Sequence, residues 1–274
     1  MTTAHSAAGT GPGQPADRLR AEQVSLGYAA ADVITELSLR IPDDRFTVIV
    51  GPNACGKSTL LRALARLLPA RGGSILLDGK DIHSLPAKQV ARVLGLLPQT
   101  STAPEGIRVR ELVARGRYPY QRLWSSWTDA DEAAVAEAMA ATEITELADR
   151  LVEELSGGQR QRVWIALVLA QQTPLVLLDE PTTFLDVGHQ YALLNLCRDL
   201  QRRHGRTVVA VLHDLNQACR YADHLVVMDA GRIVAEGAPA TVITPELVER
   251  TFELPCRVVP DPVTGSPMVV PELK

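Results

Sequence analysis

The sequence predicts an α/β fold in which helices cover both faces of a mostly parallel sheet. Short apolar runs alternate with longer helical patterns along most of the 274 residues, and this alternation is typical of parallel sheets. One apolar run, residues 46–50, ends at the loop 51–58, which has the pattern G-x-x-x-x-G-K-S and precedes a leucine-rich segment. A glycine loop between a buried strand and a helix indicates a phosphate-binding site.

The patterns of apolar and turn residues give the elements in order. Residues 1–17 are rich in Ala, Gly, Thr and Pro, and we expect a disordered tail there. The strands are predicted at 19–26, 33–41, 46–50, 72–77, 94–97, 175–178, 207–212, 224–228 and 233–235. The helices are predicted at 58–68, 109–117, 128–142, 158–170, 187–203, 215–221 and 245–252.

Three local features refine these elements. The leucines of the first helix are expected to form one apolar face, and Pro69 is expected to end the helix; these leucines are residues 60, 61, 64, 67 and 68. Helical patterns replace the strand–helix alternation between about residues 100 and 152, which predicts a helical insertion. Alternating apolar residues around a Thr-Gly-Ser turn at 257–271 predict a small hairpin.

The composition limits the classes of function. A net charge of −4 argues against nucleic acid as the main partner, because phosphate neutralisation requires a basic face. The four cysteines lack metal-ligand spacing and are expected to be reduced thiols; they are Cys55, Cys197, Cys219 and Cys256. No apolar run approaches the ~20 residues of a membrane span, and the N-terminus has no signal pattern. We therefore expect a cytosolic protein that acts at membranes only through a partner.

The phosphate loop has residue types that suit a nucleoside triphosphate. Gly51 and Gly56 let the backbone turn its N–H groups inward, and the following helix directs its positive end at the same point. Lys57 adds a cation for the β- and γ-phosphates, and Ser58 offers a hydroxyl to Mg²⁺. The candidate nucleotide-binding residues here are Gly51, Pro52, Asn53, Ala54, Cys55, Gly56, Lys57, Ser58 and Thr59.

Polar residues follow three other predicted strands. Asp179 and Glu180 come at the end of a buried apolar run, where a parallel sheet presents its ligand crevice. There Asp179 can hold Mg²⁺ and Glu180 can orient or deprotonate a water that attacks the γ-phosphate. Gln99, after another strand, offers an amide oxygen to the metal, although such a residue alone is more often an ordinary surface glutamine.

A second anion site is predicted at Leu-Ser-Gly-Gly-Gln, residues 155–159, directly before an apolar helix. Ser156 can cap that helix, and its two glycines let backbone N–H groups approach a phosphate. The candidate residues at this second site are Ser156, Gly157, Gly158 and Gln159.

The order of these motifs resembles that of the ATP-binding cassette (ABC) ATPases, and the resemblance covers the chain from about residue 19 onward. Phosphate loop, LSGGQ, strand with Asp-Glu, and strand with His213 follow one another at matching spacings. The resemblance implies four further roles: Gln99 as the Q-loop glutamine, a catalytic residue like Glu180; His213 as the switch histidine on the γ-phosphate, also catalytic; Asp186 as the D-loop aspartate; and Tyr28 as the aromatic that stacks on adenine. It also implies a head-to-tail homodimer in which LSGGQ completes the partner's ATP pocket.

The same resemblance divides the chain into three parts. Residues 1–17 are expected to be the tail, 18–255 the ABC ATPase domain with its helical subdomain at about 100–152, and 256–274 a hairpin-like extension. Position 54 departs from the family, because Ala replaces a frequent glycine; binding should survive if its backbone is not left-handed. Cys55 is either a thiol with a pKa lowered by the helix N-terminus or an inert small residue.

The segments around the motifs resemble one group within this family, the ATPase subunits of ferric-siderophore importers, which has close relatives for haem and cobalamin. The matching segments are 116–121, 159–166, 169–174 and 213–223. The resemblance implies MgATP hydrolysis at the cytoplasmic face of the membrane, a separate permease that contacts the helical subdomain, and a periplasmic or surface substrate-binding protein that is reached indirectly. The alternatives are haem or cobalamin import, or a soluble ABC ATPase without a transport role.

One cluster leaves two interpretations open. Aromatic residues beside arginines in the helical insertion are either core filling or a groove for the permease; they are Tyr118, Tyr120, Trp124 and Trp127.

Overall fold

The computed structural model describes residues 18–29, 31–121 and 127–272. The predicted tail at residues 1–17 and the aromatic residue Trp124 lie outside the described residues. The described strands, in chain order, are β1 Leu19–Tyr28, β2 Ala31–Ile41, β3 Phe46–Val50, β4 Gly72–Leu77, β5 Lys80–Asp81, β6 Leu94–Leu97, β7 Leu175–Asp179, β8 Thr207–Val211, β9 His224–Asp229, β10 Arg232–Gly237, β11 Cys256–Pro260 and β12 Pro267–Pro271.

The described helices match the predicted ones closely, with two short additions. They are α1 Lys57–Leu64, α2 Ala87–Val90, α3 Val109–Ala114, α4 Asp129–Ala141, α5 Gly157–Ala170, α6 Val187–His204, α7 Leu215–Tyr221, α8 Pro239–Val242 and α9 Pro245–Phe252. Short 3₁₀ turns lie at Arg115–Arg117, Thr145–Leu147 and Val152–Glu154. The four-residue helices α2 and α8 and the two-residue strand β5 were not predicted, because they are too short to show a period.

The central sheet has six strands in the order β10-β9-β3-β8-β7-β6. Its strands are parallel except for β10, which pairs antiparallel with β9. Every residue of β3, β7 and β8 is buried, which explains their uninterrupted apolar runs. The predicted α/β fold with a mostly parallel sheet is therefore confirmed.

Two smaller sheets complete the β structure. The order β2-β1-β4-β5 forms an antiparallel sheet of four strands, and β11 pairs with β12 in the predicted C-terminal hairpin. The antiparallel sheet and α1 enclose one apolar core against one face of the central sheet. A second core lies on the other face and includes residues of α3 to α7 and α9. Helix α1 is thus held between two sheets, which fixes the phosphate loop that precedes it.

The first helix is shorter than predicted, and Pro69 does not end it. The chain turns at Arg66, which has a left-handed backbone with φ of 65°. The N–H of Arg66 donates to Ala63 O and that of Leu67 donates to Arg62 O, so a Schellman motif closes the helix after Leu64. Leu67 is 63% exposed and does not belong to the apolar face.

A buried ion pair stabilises the helical segment, which is the predicted insertion at about residues 100–152. The guanidinium of Arg117 donates from Nε to Asp131 Oδ1 (2.8 Å) and from Nη1 to Ala170 O (2.8 Å), at the end of α5. Only 7% and 9% of the Arg117 and Asp131 side chains are exposed. The Tyr120 ring packs against this guanidinium at 4.1 Å, and its hydroxyl donates to Gln171 O. Tyr120 is therefore a structural residue, whereas Tyr118 and Trp127 are exposed.

The C-terminal hairpin lies against α7. The side-chain amide of Asn216 accepts from Val269 N (2.7 Å) and donates to Val269 O (3.2 Å). Arg220, one turn later in α7, pairs with Asp261 of the hairpin. Among the described residues, no helix is long and apolar enough to cross a membrane.

Candidate nucleotide site

The predicted site residues lie at the carboxyl ends of four neighbouring parallel strands. β3 leads into Gly51, β8 into His213, β7 into Asp179 and Glu180, and β6 into Gln99. Parallel strands that lie side by side end at the same edge of a sheet, where α/β proteins bind their ligands. Strand order therefore brings together residues that are far apart in sequence.

Glycine is required at two positions of the phosphate loop. Gly56 has φ of 105° and immediately precedes α1. At Gly51, a Cβ would lie 2.2 Å from Met228 O, so the loop could not pass this close to β9 with any larger residue. These glycines let the loop curve over the start of α1, whose unpaired N–H groups favour an anion.

The Lys57 ammonium lies inside this loop. Its Nζ donates to Gly51 O (2.9 Å) and to Pro52 O (2.8 Å), and the residue is only 5% exposed. The cation is thus held over the concave side of the loop, within reach of a phosphate that enters it.

Ser58 and Asp179 form a site that suits a divalent cation. The Ser58 hydroxyl donates to Asp179 Oδ1 at 2.8 Å. The other oxygen, Oδ2, is buried and has no hydrogen-bond partner among the described residues. Burial raises the pKa of the Asp179 carboxyl, against the opposing effect of the Ser58 hydrogen bond. A buried, unpartnered carboxylate oxygen beside a hydroxyl fits the oxygen ligands that Mg²⁺ prefers.

Glu180 is the centre of a short hydrogen-bond network. Its Oε1 lies 2.8 Å from His213 Nε2, and its Oε2 accepts from Gln99 Nε2 at 2.9 Å. The Glu180 side chain is 12% exposed, and the residue has a left-handed backbone with φ of 53°. The structure therefore brings together the three predicted catalytic residues, with one carboxylate between an amide and an imidazole.

One cleft contains most of these groups. It is lined by Asn53, Ala54, Gly56, Lys57, Ser58, Thr59, Gln99, Glu180 and Val33. Val33 was not predicted, because an apolar residue in a strand gives no functional signal. Tyr28 is not among the lining residues; it is 45% exposed, and its hydroxyl accepts from Arg62 of α1 at 3.3 Å.

The LSGGQ residues line a different groove. Ser156 accepts from Gln159 N (3.3 Å), and the Gln159 side chain accepts in return from Ser156 N (3.1 Å), which confirms the predicted helix cap. The groove is lined by Ser156, Gly157, Gly158, Gln159, Arg162, Phe184, Leu185, Asp186 and His189. Within one chain, the predicted second anion site and the phosphate loop thus line separate grooves.

Asp186 caps α6 and also pairs with a histidine. Its carboxylate accepts from His189 N (2.9 Å) and lies 2.7 Å from His189 Nδ1. The backbone hydrogen bond and then the side-chain one lower the pKa of Asp186. His189 was not predicted, although its spacing of three residues from Asp186 at a helix start was the available signal.

Two expectations for the phosphate loop need correction. Ala54 does have a left-handed backbone, with φ of 62°, so the condition for a harmless alanine is not met. Such a conformation costs roughly 1–2 kcal/mol for a residue with a Cβ. Cys55 is 4% exposed, and burial raises the pKa of its thiol. Of the two interpretations, the structure favours the inert small residue.

This fold and this arrangement of loop, cation site and carboxylate define a P-loop ATPase of the cassette type. The pattern of the ABC transporter family matches residues 34–183. The chain belongs to the ABC transporter family and is the ATPase subunit of an importer.

Two curated relatives are similar over nearly their whole length. The chain is 57% identical over 254 residues to the ferric enterobactin transport ATP-binding protein of Escherichia coli K12, covering 93% of this chain and 94% of the relative. It is 54% identical over 250 residues to a protein of Bacillus subtilis 168 named as a probable siderophore transport system ATP-binding protein, covering 91% of each.

Solved structures show the same fold. A transporter described as metal-chelate type, in an inward-facing conformation, matches with a TM-score of 0.78 and 27% identity, covering 93% of this chain and 97% of the other. A dimeric bacterial ABC transporter cassette matches with a TM-score of 0.73 and 25% identity, covering 80% of this chain and 98% of the other.

Proposed function

We propose that this chain hydrolyses MgATP at the cytoplasmic face of a membrane and thereby drives import of a ferric siderophore through a separate permease. The observation that supports the hydrolytic part is the convergence of Lys57, Asp179, Glu180 and His213 at adjacent strand ends. The similarity to ferric enterobactin and siderophore transport proteins supports the substrate.

The phosphate loop binds the triphosphate. Backbone N–H groups of the loop after Pro52 surround the phosphates, and Lys57 exchanges its bonds to Gly51 O and Pro52 O for phosphate oxygens. Ser58, Asp179 and Gln99 would hold Mg²⁺, with Asp179 acting directly or through water. Held there, Mg²⁺ would supply positive charge against the terminal phosphate.

Glu180 acts on the attacking water. Its carboxylate is fixed on both sides, by Gln99 Nε2 and by His213 Nε2, so it can accept a proton in a defined orientation. His213 also bonds the γ-phosphate, which requires its imidazole to stay at the end of β8. Its side chain is 48% exposed and can therefore face a ligand in the cleft.

The adenine base stacks on Tyr28. This ring lies at the end of β1, and its hydroxyl is bonded to Arg62 of α1, the helix that follows the phosphate loop. An aromatic face binds a base without strict geometric demands, which suits an exposed ring at the rim of a cleft.

The working unit is a homodimer with two shared ATP sites. LSGGQ and Asp186 line a groove that is separate from the phosphate-loop cleft, although both have anion-binding features. A head-to-tail pair places the groove of one chain over the cleft of the other. The dimeric structure of a similar cassette supports a dimer as the working unit. Each site then contains Lys57 of one chain and Ser156–Gly158 of its partner.

The permease contacts the helical segment. Tyr118 and Trp127 are exposed there, at 57% and 41%, and exposed aromatic residues are typical of protein interfaces. A substrate-binding protein on the other side of the membrane delivers the siderophore to the permease and does not touch this chain. The net charge of −4 disfavours nucleic acid as a partner.

An uptake experiment tests the proposed substrate. Cells that lack this chain are expected to stop growing when a ferric siderophore is the sole iron source, and to grow normally on haem or with cobalamin. The wild-type chain and Glu249→Gln, which changes an exposed carboxylate of α9 outside the site and the helical segment, should restore growth, whereas Glu180→Gln should not. Loss of growth on haem or cobalamin, with siderophore uptake intact, would contradict the proposed substrate.

Mixed dimers test the shared site. Lys57→Ala removes the phosphate cation, and Gly158→Asp places a carboxylate where a phosphate must approach. Each homodimer then has two defective pockets, whereas a mixed dimer has both defects in one pocket. We expect mixed dimers to occlude about one ATP per dimer and the homodimers to occlude none. Mixed dimers without occluded ATP would refute the shared site.

A further inference from the structure

We propose that the C-terminal hairpin, β11 and β12, is a positioning element for His213 and acts through α7. This inference rests on the proposed role of His213 at the γ-phosphate. It assigns a function in catalysis to Asn216, Arg220 and Asp261, which lie outside the nucleotide cleft.

His213 depends on the backbone that follows it. Half of its side chain is exposed, and among the described residues its imidazole has a hydrogen-bonding partner only in Glu180. Helix α7 begins two residues later, and Asp214 caps it by accepting from Gln217 N at 2.8 Å. A displacement of α7 therefore moves His213 directly, because no flexible linker separates them.

Helix α7 has only seven residues and needs tertiary contacts to be stable. Two side chains of α7, four residues apart, bond it to α6. Gln217 donates to Gln190 Oε1 (2.9 Å). Tyr221 donates to Asn195 Oδ1 (2.7 Å). These contacts restrain one side of the helix. The restraint on another side comes from the hairpin.

The hairpin contacts come from a second pair of side chains, also four residues apart. Asn216 bonds both the N–H and the C=O of Val269, because its side-chain amide carries a separate acceptor and donor. Arg220 pairs with Asp261, and only 6% of the surface of Asp261 is exposed. The same Asp261 carboxylate accepts from Val263 N (2.8 Å) and Thr264 N (3.0 Å), so the hairpin turn and α7 are joined at one group.

These contacts determine the role of the hairpin. The hairpin bonds both turns of α7 and lies outside the cleft. Loss of these bonds therefore lets the helix and His213 move, but removes no residue that binds the nucleotide. Arg220→Gln and Asn216→Ala are therefore expected to lower kcat by about threefold to tenfold and to leave the KM for ATP within about twofold.

The experiment measures steady-state ATP hydrolysis by the full-length chain. Arg220→Lys keeps the pair with Asp261 and should restore most of kcat. Arg257→Gln is the matched control, because it breaks an exposed pair with Glu272 inside the same hairpin without touching α7. In a His213→Ala background, Arg220→Gln should cause no further loss, since residues that act through one group are not additive. Circular dichroism and ATP affinity identify any variant that fails to fold.

The outcomes separate this inference from the proposed role of His213. A slow His213→Ala variant together with wild-type kcat in Arg220→Gln and Asn216→Ala would overturn the inference alone. An equal loss in Arg257→Gln, or an additive loss in the His213→Ala background, would also overturn it. Wild-type turnover in His213→Ala would instead refute the assignment of His213, and the inference with it.

Discussion

Replacement of Arg117 by methionine is expected to destabilise the protein strongly while leaving ATP affinity unchanged. Methionine keeps most of the apolar stem of the side chain but removes the guanidinium group and its charge. Arg117 donates to Asp131, to Ala170 O and to Gln172 Oε1 (3.2 Å), so the substitution removes three charge-assisted hydrogen bonds.

The expected magnitude follows from burial. Removal of one partner from a buried ion pair costs about 3–5 kcal/mol, because the other charge is left uncompensated. Asp131 keeps two bonds from Thr128, one from the backbone N–H (3.2 Å) and one from the hydroxyl (2.7 Å), which places the cost near 3 kcal/mol. For a chain of this size, the midpoint of thermal unfolding should fall by about 6–12 °C.

The structure provides a matched control for this substitution. Arg110 of α3 pairs with Glu132 of α4, next to the buried pair, but 52% and 43% of these side chains are exposed. Arg110→Met should leave the unfolding midpoint almost unchanged, because water screens an exposed pair. Thermal unfolding followed by circular dichroism compares the two variants, and equal shifts would refute the argument from burial.

Four further outcomes are expected. Glu180→Gln should bind ATP within about twofold of the wild type but hydrolyse it at least about 100-fold more slowly, and loss of binding would show that the carboxylate has another role. Ala54→Gly should raise the free energy of unfolding by about 0.5–1 kcal/mol in a denaturant titration, because it relieves a left-handed alanine at some cost in unfolded-state entropy. The hydrogen bond from Arg220, and then those from the turn, lower the pKa of Asp261 to about 2. The carboxylate should therefore contribute fully to the free energy of unfolding above its unfolded pKa of about 3.9, and this contribution should be lost as pH falls towards 2. If the wild type were still more stable than Asp261→Asn at pH 2, this expectation would be wrong. Cys55 should react with an alkylating reagent as slowly without MgATP as with it, as judged by mass spectrometry, since the protein already buries the thiol.

The sequence predicted the elements of the fold well where the signal was local. Buried strands such as β7 appear as continuous apolar runs, and the cap Ser156 marks the start of α5 directly. The end of α1 was misplaced, because leucines continue the helical period beyond the point where Arg66 turns left-handed. That turn depends on backbone bonds that no side-chain pattern shows.

The site was predictable residue by residue but not as an arrangement. Gln99, Glu180 and His213 each follow a strand, yet their network depends on β6, β7 and β8 being neighbours in the sheet. Strand order follows from tertiary packing, not from sequence order. The docking of the hairpin on α7 was missed for the same reason, since Asn216 and Val269 are 53 residues apart and neither position is unusual by itself.

The left-handed backbone at Glu180 affects which substitutions a selection for thermal stability would favour. Glycine or asparagine adopts φ near 53° more readily than glutamate does, so either would relax the chain where it leaves β7. A selection for heat resistance alone would therefore favour the loss of the carboxylate that we propose acts on water. At this position, thermal stability favours a residue other than glutamate, whereas ATP turnover requires the carboxylate. Selection for uptake would therefore retain a residue with a strained backbone.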